Sequence, residues 1–439
     1  MQDEKKTSDA GDGRENGTEN ECFFITEKIK KRPKSKKQIA LDVCGVVLSA
    51  VLFGMVASLV FVWLSPKLEK MVQGEESPEV VVFPEDENGE SNIQNNPVVS
   101  PTLTQKPVVN VVEKEFGTQD YHNLYNQIYQ VADSVKKSLV TVVTVSSDVD
   151  WLNIPYENEA EGSGVVIADN GIEYLVLTDQ SIIQGVEEIN VVFVTGEQVE
   201  ATLKRQDRNT GIAVLAVDKK SLKAANLEKI QPIALGNSNM LQLGNPVIAV
   251  GSPLGTSDSV LSGNITSLKT FSDTDDYHFP LIQTDMLGSV NGNGVLLNLN
   301  GQVIGIYTRE LSKASEHGTV TAYTISELKK IIEKLSNDQS VAYLGVKSRE
   351  VSSKDMEKYH MPSGMGIVNV TMDSPAMRAG LQSGDIITKI QGKEIRTRRD
   401  LENTIGEYES GQNIKITAMR PANDKYVEIE FEVTMGVTD

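Results

Sequence analysis

The chain has 439 residues, with 61 Asp and Glu against 42 Lys and Arg, a net charge of -19, and 39% hydrophobic residues. That length allows two or three domains, each with a core of useful size. The acidity argues against nucleic acid as a partner, because phosphates would be repelled. Two cysteines, Cys22 and Cys44, and four dispersed histidines (His122, His278, His317, His360) offer no Cys/His cluster, so neither a metal nor a cofactor is implied.

Residues 1–37 contain ten Lys and Arg and eight Asp and Glu, and read as a basic cytoplasmic tail. Residues 38–66 read as a transmembrane helix. Val43 to Pro66 carries no charge, and about 20 apolar residues cross a bilayer as a helix that satisfies its own backbone. The apolar run is too long for the core of a cleaved signal peptide, and a long tail precedes it. Lys28, Lys30, Lys31, Arg32, Lys34, Lys36 and Lys37 lie just before it, which keeps that side in the cytoplasm. The expected protein is single-pass in the cell membrane, with an extracytoplasmic ectodomain. Residues 67–117 read as a disordered linker, rich in Pro, Glu, Asn and Gln and without helical period.

The apolar spacing of 120–137 predicts a short helix. Many short Val- and Ile-rich runs follow, separated by Gly, Asn and Asp: SLVTVVTVSS, GSGVVIAD, EYLVLT, IAVLAV, NPVIAVGSP, GQVIGIYT. Such spacing predicts a mainly β barrel or sandwich. A helix over 325–336 closes this unit, and a smaller domain over 341–435 follows, with short helices near DSPAMRAG and RRDLENTIGEY.

Several blocks carry a resemblance. They are Gly162-Ser163-Gly164-Val165-Val166, Ala234–Ser238 with Gly244–Gly255, Ser262-Gly263-Asn264-Ile265, Gln283-Thr284-Asp285, and Asn298–Ile306. In this order they resemble the HtrA (DegP/DegS-like) trypsin-fold serine proteases. The resemblance covers about 120–435. It implies a double six-stranded β-barrel over 118–338 with a cleft between the barrels, and a PDZ domain over 341–435. It also implies a Ser-His-Asp triad, in which histidine relays the proton of the attacking serine and backbone N–H groups hold the oxyanion.

The positions matching that triad are occupied by other residues. After the strand Tyr174–Leu177 the loop reads Thr178-Asp179-Gln180-Ser181-Ile182, with Ser181 where histidine is expected; a serine hydroxyl has no basicity near pH 7. The aspartate position falls on Gly211, and the nearby Asp207 matches a structural acid of the family. The nucleophile loop, TDMLGSVNGNGVLLN over 284–298, is one residue shorter than the family's, so Gly292 or Asn293 takes the serine's place, or the serine itself is deleted. Ser289 lies too early in it. Neither His278 nor His317 matches the family's histidine.

In the second domain Tyr343-Leu344-Gly345-Val346 resembles the PDZ loop that holds a peptide's terminal carboxylate, beside the strand onto which the peptide adds. Ser374-Pro375-Ala376, Ala379-Gly380-Leu381 and Gly384-Asp385-Ile386-Ile387 match the family's following block. Leu401 and Ile405 have the spacing either to face the peptide groove or to fill the core.

Two functions are consistent with these residues. One is a catalytically inactive, membrane-anchored HtrA-like protein that binds peptides or unfolded envelope proteins. It would act in protein quality control or regulation, and the resemblance implies a homotrimer or mixing with active paralogues. The alternative is an active serine endopeptidase degrading misfolded extracytoplasmic proteins.

Overall fold

A computed structural model describes Met55, residues 78–86, 117–149 and 155–438, apart from Glu316 and Asp424. The tail, the apolar segment 38–66 apart from Met55, and both cysteines lie outside the described residues. No helix among the described residues is long and apolar enough to cross a membrane.

Helix α1 (Thr118–Ser134) leads into a seven-stranded antiparallel sheet: β1 (Leu139–Val149), β2 (Pro155–Asp169), β3 (Glu173–Asp179), β4 (Glu188–Phe193), β5 (Gln198–Glu200), β6 (Thr202–Asp207) and β7 (Ile212–Asp218). Its order is β5-β4-β1-β2-β3-β7-β6. The two edge strands, β5 and β6, are consecutive and separated only by Ala201. The sheet is therefore one six-stranded roll whose closing strand bends at that residue. Strand β8 (Pro246–Ser252), β9 (Ser259–Asp273), β10 (His278–Leu287), β11 (Asn293–Leu297), β12 (Val303–Tyr307) and β13 (Thr319–Thr324) close a second barrel in the order β10-β13-β12-β11-β8-β9. The expected double barrel is present.

The Val/Leu/Ile alternation explains both interiors. Val142, Val176, Val191 and Leu215 fill the first. Ile265, Ile282, Leu296 and Ile304 fill the second. The opposite faces of the same strands, with Leu175, Val214, Ile248 and Val295, pack in a third cluster. Strands buried on both faces read as continuous apolar runs, as β3, β7 and β12 do.

The first of the short helices is α2 (Gln180–Ile183), then α3 (Ala224–Leu227), α4 (Arg309–Ala314) and α5 (Ile325–Ser336). Helix α5 buries Ile325, Leu328, Ile331, Ile332 and Leu335, the stripe its i, i+3, i+4 spacing dictates. Burying each of these side chains is worth roughly 1.5–3 kcal/mol as an upper estimate.

One part of the linker departs from the reading of 67–117 as disordered. Residues 78–86 lie extended along α5. Val81 and Phe83 pack on the shared core, while Val80 and Val82 face solvent. Asn337 exchanges hydrogen bonds with the Val81 backbone (2.9 and 2.7 Å). Lys329 pairs with Asp86 at 2.6 Å, both side chains largely buried. The run PEVVVFPED has strand-like alternation inside a polar context, so its apolar half finds a partner.

The C-terminal domain places β14 (Ala342–Tyr343), β15 (Val346–Glu350), β16 (Met365–Val370), β17 (Ile386–Ile390), β18 (Lys393–Glu394), β19 (Asn413–Ala422), β20 (Lys425–Thr434) and β21 (Gly436–Val437) around helices α6 (Ser353–Tyr359), α7 (Pro375–Ala379) and α8 (Arg398–Gly406). The main sheet runs β15-β16-β17-β19-β20, which leaves β15 as an edge. Ser374 caps α7 and Gly380, at φ +92°, ends it. Helix α6 has no counterpart in the sequence reading.

Candidate functional site

The cleft between the barrels is built from the ends of β3, β7 and β11. Strand β3 ends at Asp179, a buried carboxylate that caps α2 by accepting from the Ser181 N–H (2.8 Å) and also accepts from the Arg309 N–H (2.5 Å). Ser181 itself is exposed in the first turn of α2. The Gln180 N–H donates to Gly211 O at 2.8 Å, which brings the Ser181 and Gly211 loops together.

Gly211 closes the β6–β7 turn at φ +69°, a region that side chains other than Gly, Asn and Asp avoid. Asp207 organises that turn by accepting from both the Thr210 N–H and Oγ1. Burial pushes the Asp207 carboxyl up, against the pull of those hydrogen bonds.

The shortened loop before β11 is a tight turn. Ser289 N–H donates to Pro253 O, and Gly292 N–H returns to Ser289 O at 2.9 Å. Ser289 Oγ accepts from the Asn291 N–H. Gly292 O accepts from Ser312 Oγ. Asn293 is buried and points across to the first barrel. Its Nδ2 donates to Ser163 O at 2.8 Å, and the Ser163 N–H donates to its Oδ1 at 3.2 Å. Thr178 Oγ1 adds a bond to the same Ser163 O. The cavity here, lined by Ser163, Thr178, Asp179, Asn293, Tyr307 and Thr308 among others, has a volume of about 20 Å³, room for one water.

Asp179 and Asn293 thus line one cavity, and Ser181 is not part of its lining. His278 lies at the start of β10 beside Asp273 and stacks on Phe271. His317 is exposed before β13, and His360 ends α6 at φ +52°. Among the described residues no histidine hydrogen-bonds a serine hydroxyl.

The second site is the loop Tyr343-Leu344-Gly345-Val346. Gly345 sits at φ +86°, and a Cβ there would lie 2.2 Å from the Ser374 side chain, so only glycine fits. The three successive N–H groups of Leu344, Gly345 and Val346 converge on one carboxylate, that of Asp276, at 2.7–3.0 Å. Asp276 belongs to the β9–β10 hairpin of the second barrel. Burial pushes its carboxyl up to about 6, while the three N–H donors pull it down. Its own N–H donates to Val346 O at 2.8 Å. Neighbouring Asp275 accepts from Tyr343 Oη (3.1 Å) and Thr371 Oγ1 (2.7 Å). The His278 N–H donates to Glu402 Oε1 of α8 at 2.9 Å.

Leu401 and Ile405 are buried in the core of this domain together with Leu344 and Val346. Of the two readings of their spacing, they fill the core, and Tyr277 of the hairpin packs against that cluster. Sequence reasoning missed Asp276. Its only signal is a polar Thr-Asp-Asp between two strands, the pattern of any hairpin turn.

The family profile "Trypsin-like peptidase domain" matches residues 162–306, and the profile "PDZ domain" matches 342–432. The chain is 31% identical over 294 residues to the "Serine protease Do-like HtrA" of Lactobacillus helveticus, covering 69% of it and 63% of this chain. The chain belongs to the HtrA family. A "Probable periplasmic serine endoprotease DegP-like" of Halomonas elongata is 31% identical over 279 residues, 62% of this chain and 56% of that protein. The chain thus spans little more than half the length of the DegP-like relatives it matches. Among solved structures, the "HtrA-type protease AlgW with decapeptide" covers 70% of this chain and 98% of its own at a TM-score of 0.51 and 22% identity, a likeness of fold. The HtrA architecture of this chain therefore consists of two β-barrels followed by a PDZ domain.

Proposed function

We propose that this HtrA protein is a peptide-binding module without proteolytic activity, anchored in the membrane through residues 38–66 and facing an extracytoplasmic compartment. The observation that carries the reading is the position of Asn293. It is one of the two residues, with Gly292, at the place where a nucleophile is expected, and its amide is spent on the Ser163 backbone. Amide hydrolysis here needs an oxygen nucleophile beside a proton acceptor. Ser181 supplies no base, Gly211 no carboxylate, and the Ser289 and Gly292 N–H groups of the turn go to the Pro253 and Ser289 carbonyls rather than to an oxyanion. No intact triad is assigned.

Binding falls to the PDZ loop, Tyr343 to Val346, whose amides recognise a carboxylate, with the free edge of β15 available for strand addition. Ligands of this kind are the C-terminal segments of unfolded envelope proteins. The DegP-like relatives described as periplasmic support the compartment, and an AlgW structure with a bound decapeptide supports peptide as the ligand class. Association into homotrimers or with active paralogues belongs to the same proposal.

The second reading, an active endopeptidase, is favoured by relatives named as serine endoproteases. Turnover of casein by the purified chain separates the two. The module reading expects no cleavage above a buffer blank, and steady cleavage abolished by a serine-directed inhibitor would sink it.

A further inference from the structure

We infer that the PDZ carboxylate loop is occupied in cis by Asp276, which stands in for a peptide C-terminus, so that a ligand must displace the β9–β10 hairpin to bind. This rests on reading the loop as the peptide site.

Each contact of a terminal residue has its counterpart in the hairpin. A bound peptide places its terminal carboxylate on the loop's N–H groups and its last N–H on the first carbonyl of the neighbouring strand. Here the Asp276 carboxylate takes the N–H groups of Leu344, Gly345 and Val346, and the Asp276 N–H takes Val346 O. Both oxygens are used, with Gly345 N–H shared between them. The remainder of the tip follows the groove. The His278 N–H reaches Glu402 on α8, and Tyr277 lies against the domain core.

The turn is shaped for this role. Asp276 adopts φ +67°, which Asp tolerates better than larger residues, and the Thr274 N–H donates to Tyr277 O across the two-residue tip. Asp275 clamps the tip to the loop's own Tyr343 and to Thr371. Charge-assisted bonds to three converging amides are among the stronger hydrogen bonds available. The rest of β15 stays an open edge, so a displacing peptide has somewhere to extend.

The test uses the full chain in detergent, wild type beside Asp276→Ala, with hydrogen exchange read at 344–346. Both proteins are also probed on an array of decapeptides bearing free C-terminal carboxylates, with an amidated duplicate as control. The expected result is exchange at least about tenfold faster in Asp276→Ala, together with at least tenfold stronger signal on the free-carboxylate array and none on the amidated one. Equal exchange in the two proteins overturns occupancy by Asp276. Equal array signal overturns the block. If exchange rises but the free and amidated arrays remain alike, cis occupancy stands and the peptide-binding reading fails. Should Asp276→Ala not fold, Asp276→Asn keeps the shape without the charge and is read in the same direction.

Discussion

Asn293 of the second barrel is bonded through both ends of its amide to the backbone of Ser163 in the first, at 2.8 and 3.2 Å. This clamp ties the two barrels together across the cleft. Asn293→Ala would leave a buried N–H without its partner and a buried C=O with only Thr178. Its expected cost is about 2–4 kcal/mol of unfolding free energy, measured by denaturant titration. Asn293→Asp would keep one acceptor but set a carboxylate against Ser163 O, and should be at least as damaging. A loss below about 0.5 kcal/mol would show that the clamp carries no weight.

Restoring the expected triad residues one by one should not restore activity. Ser181→His places an imidazole on the exposed side of α2. Gly211→Asp has room, since a Cβ there would meet only Glu310 and Thr308 at 3.6 and 3.9 Å, but φ +69° costs about 1 kcal/mol or more. Asn293→Ser removes the clamp. The triple variant is expected to melt below the wild type and to leave casein intact. Measured turnover in that variant would mean that the Ser289–Gly292 turn reopens.

The strap over 78–86 depends on the buried pair of Lys329 and Asp86. Removing one partner of such a pair leaves an uncompensated charge, an effect of roughly 3–5 kcal/mol when full. Lys329→Ala should therefore release the strap, seen as new cleavage near 80–86 in limited proteolysis while the barrels stay resistant. Lys329→Met, which keeps the apolar stem, should release it as well. An unchanged digestion pattern in both would contradict the role of the pair.

The hairpin contact should depend on pH. Burial pushes Asp276 up to about 6 from an ordinary 3.8, the three loop N–H groups opposing and Asp275 adding to the rise. Burial pushes Glu402 up to about 7, with the His278 N–H, Arg398 and Arg399 opposing and Glu327 adding. Both groups hold protons more tightly docked than free. The docked state therefore binds more protons, and raising the pH favours release. The contact should be strongest below about 4 and should weaken as pH rises, up to about 6 for Asp276 and about 7 for Glu402. For Asp276 the change is on the order of 2–3 kcal/mol. Hydrogen exchange at 344–346, corrected for intrinsic rates, should show more opening at pH 8 than at pH 5.5. A flat profile would contradict it.

The fold was largely legible because its signals are local. Helix α5 appears at 325–336 as its apolar stripe predicts, and β3, β7 and β12 announced themselves as apolar runs. The block from Ser374 to Ile387 identifies a capped short helix and the strand after it. What escaped depends on partners distant in sequence. Val81 and Phe83 look like linker residues until α5 lies beside them, more than 240 residues away. Asp276 looks like a turn residue until Leu344 to Val346 close on it, 68 to 70 residues away. Asn293 is one polar residue in a glycine-rich loop, and only its reach to Ser163 gives it a role.

The claim that the cleft lacks a working nucleophile is tested most directly by intact-mass analysis of the full chain after exposure to a fluorophosphonate serine probe, with trypsin as a positive control. The account predicts an unmodified mass under conditions that label trypsin fully. A single adduct that maps to Ser181 or Ser289 and is lost on mutation of that serine to alanine would contradict it.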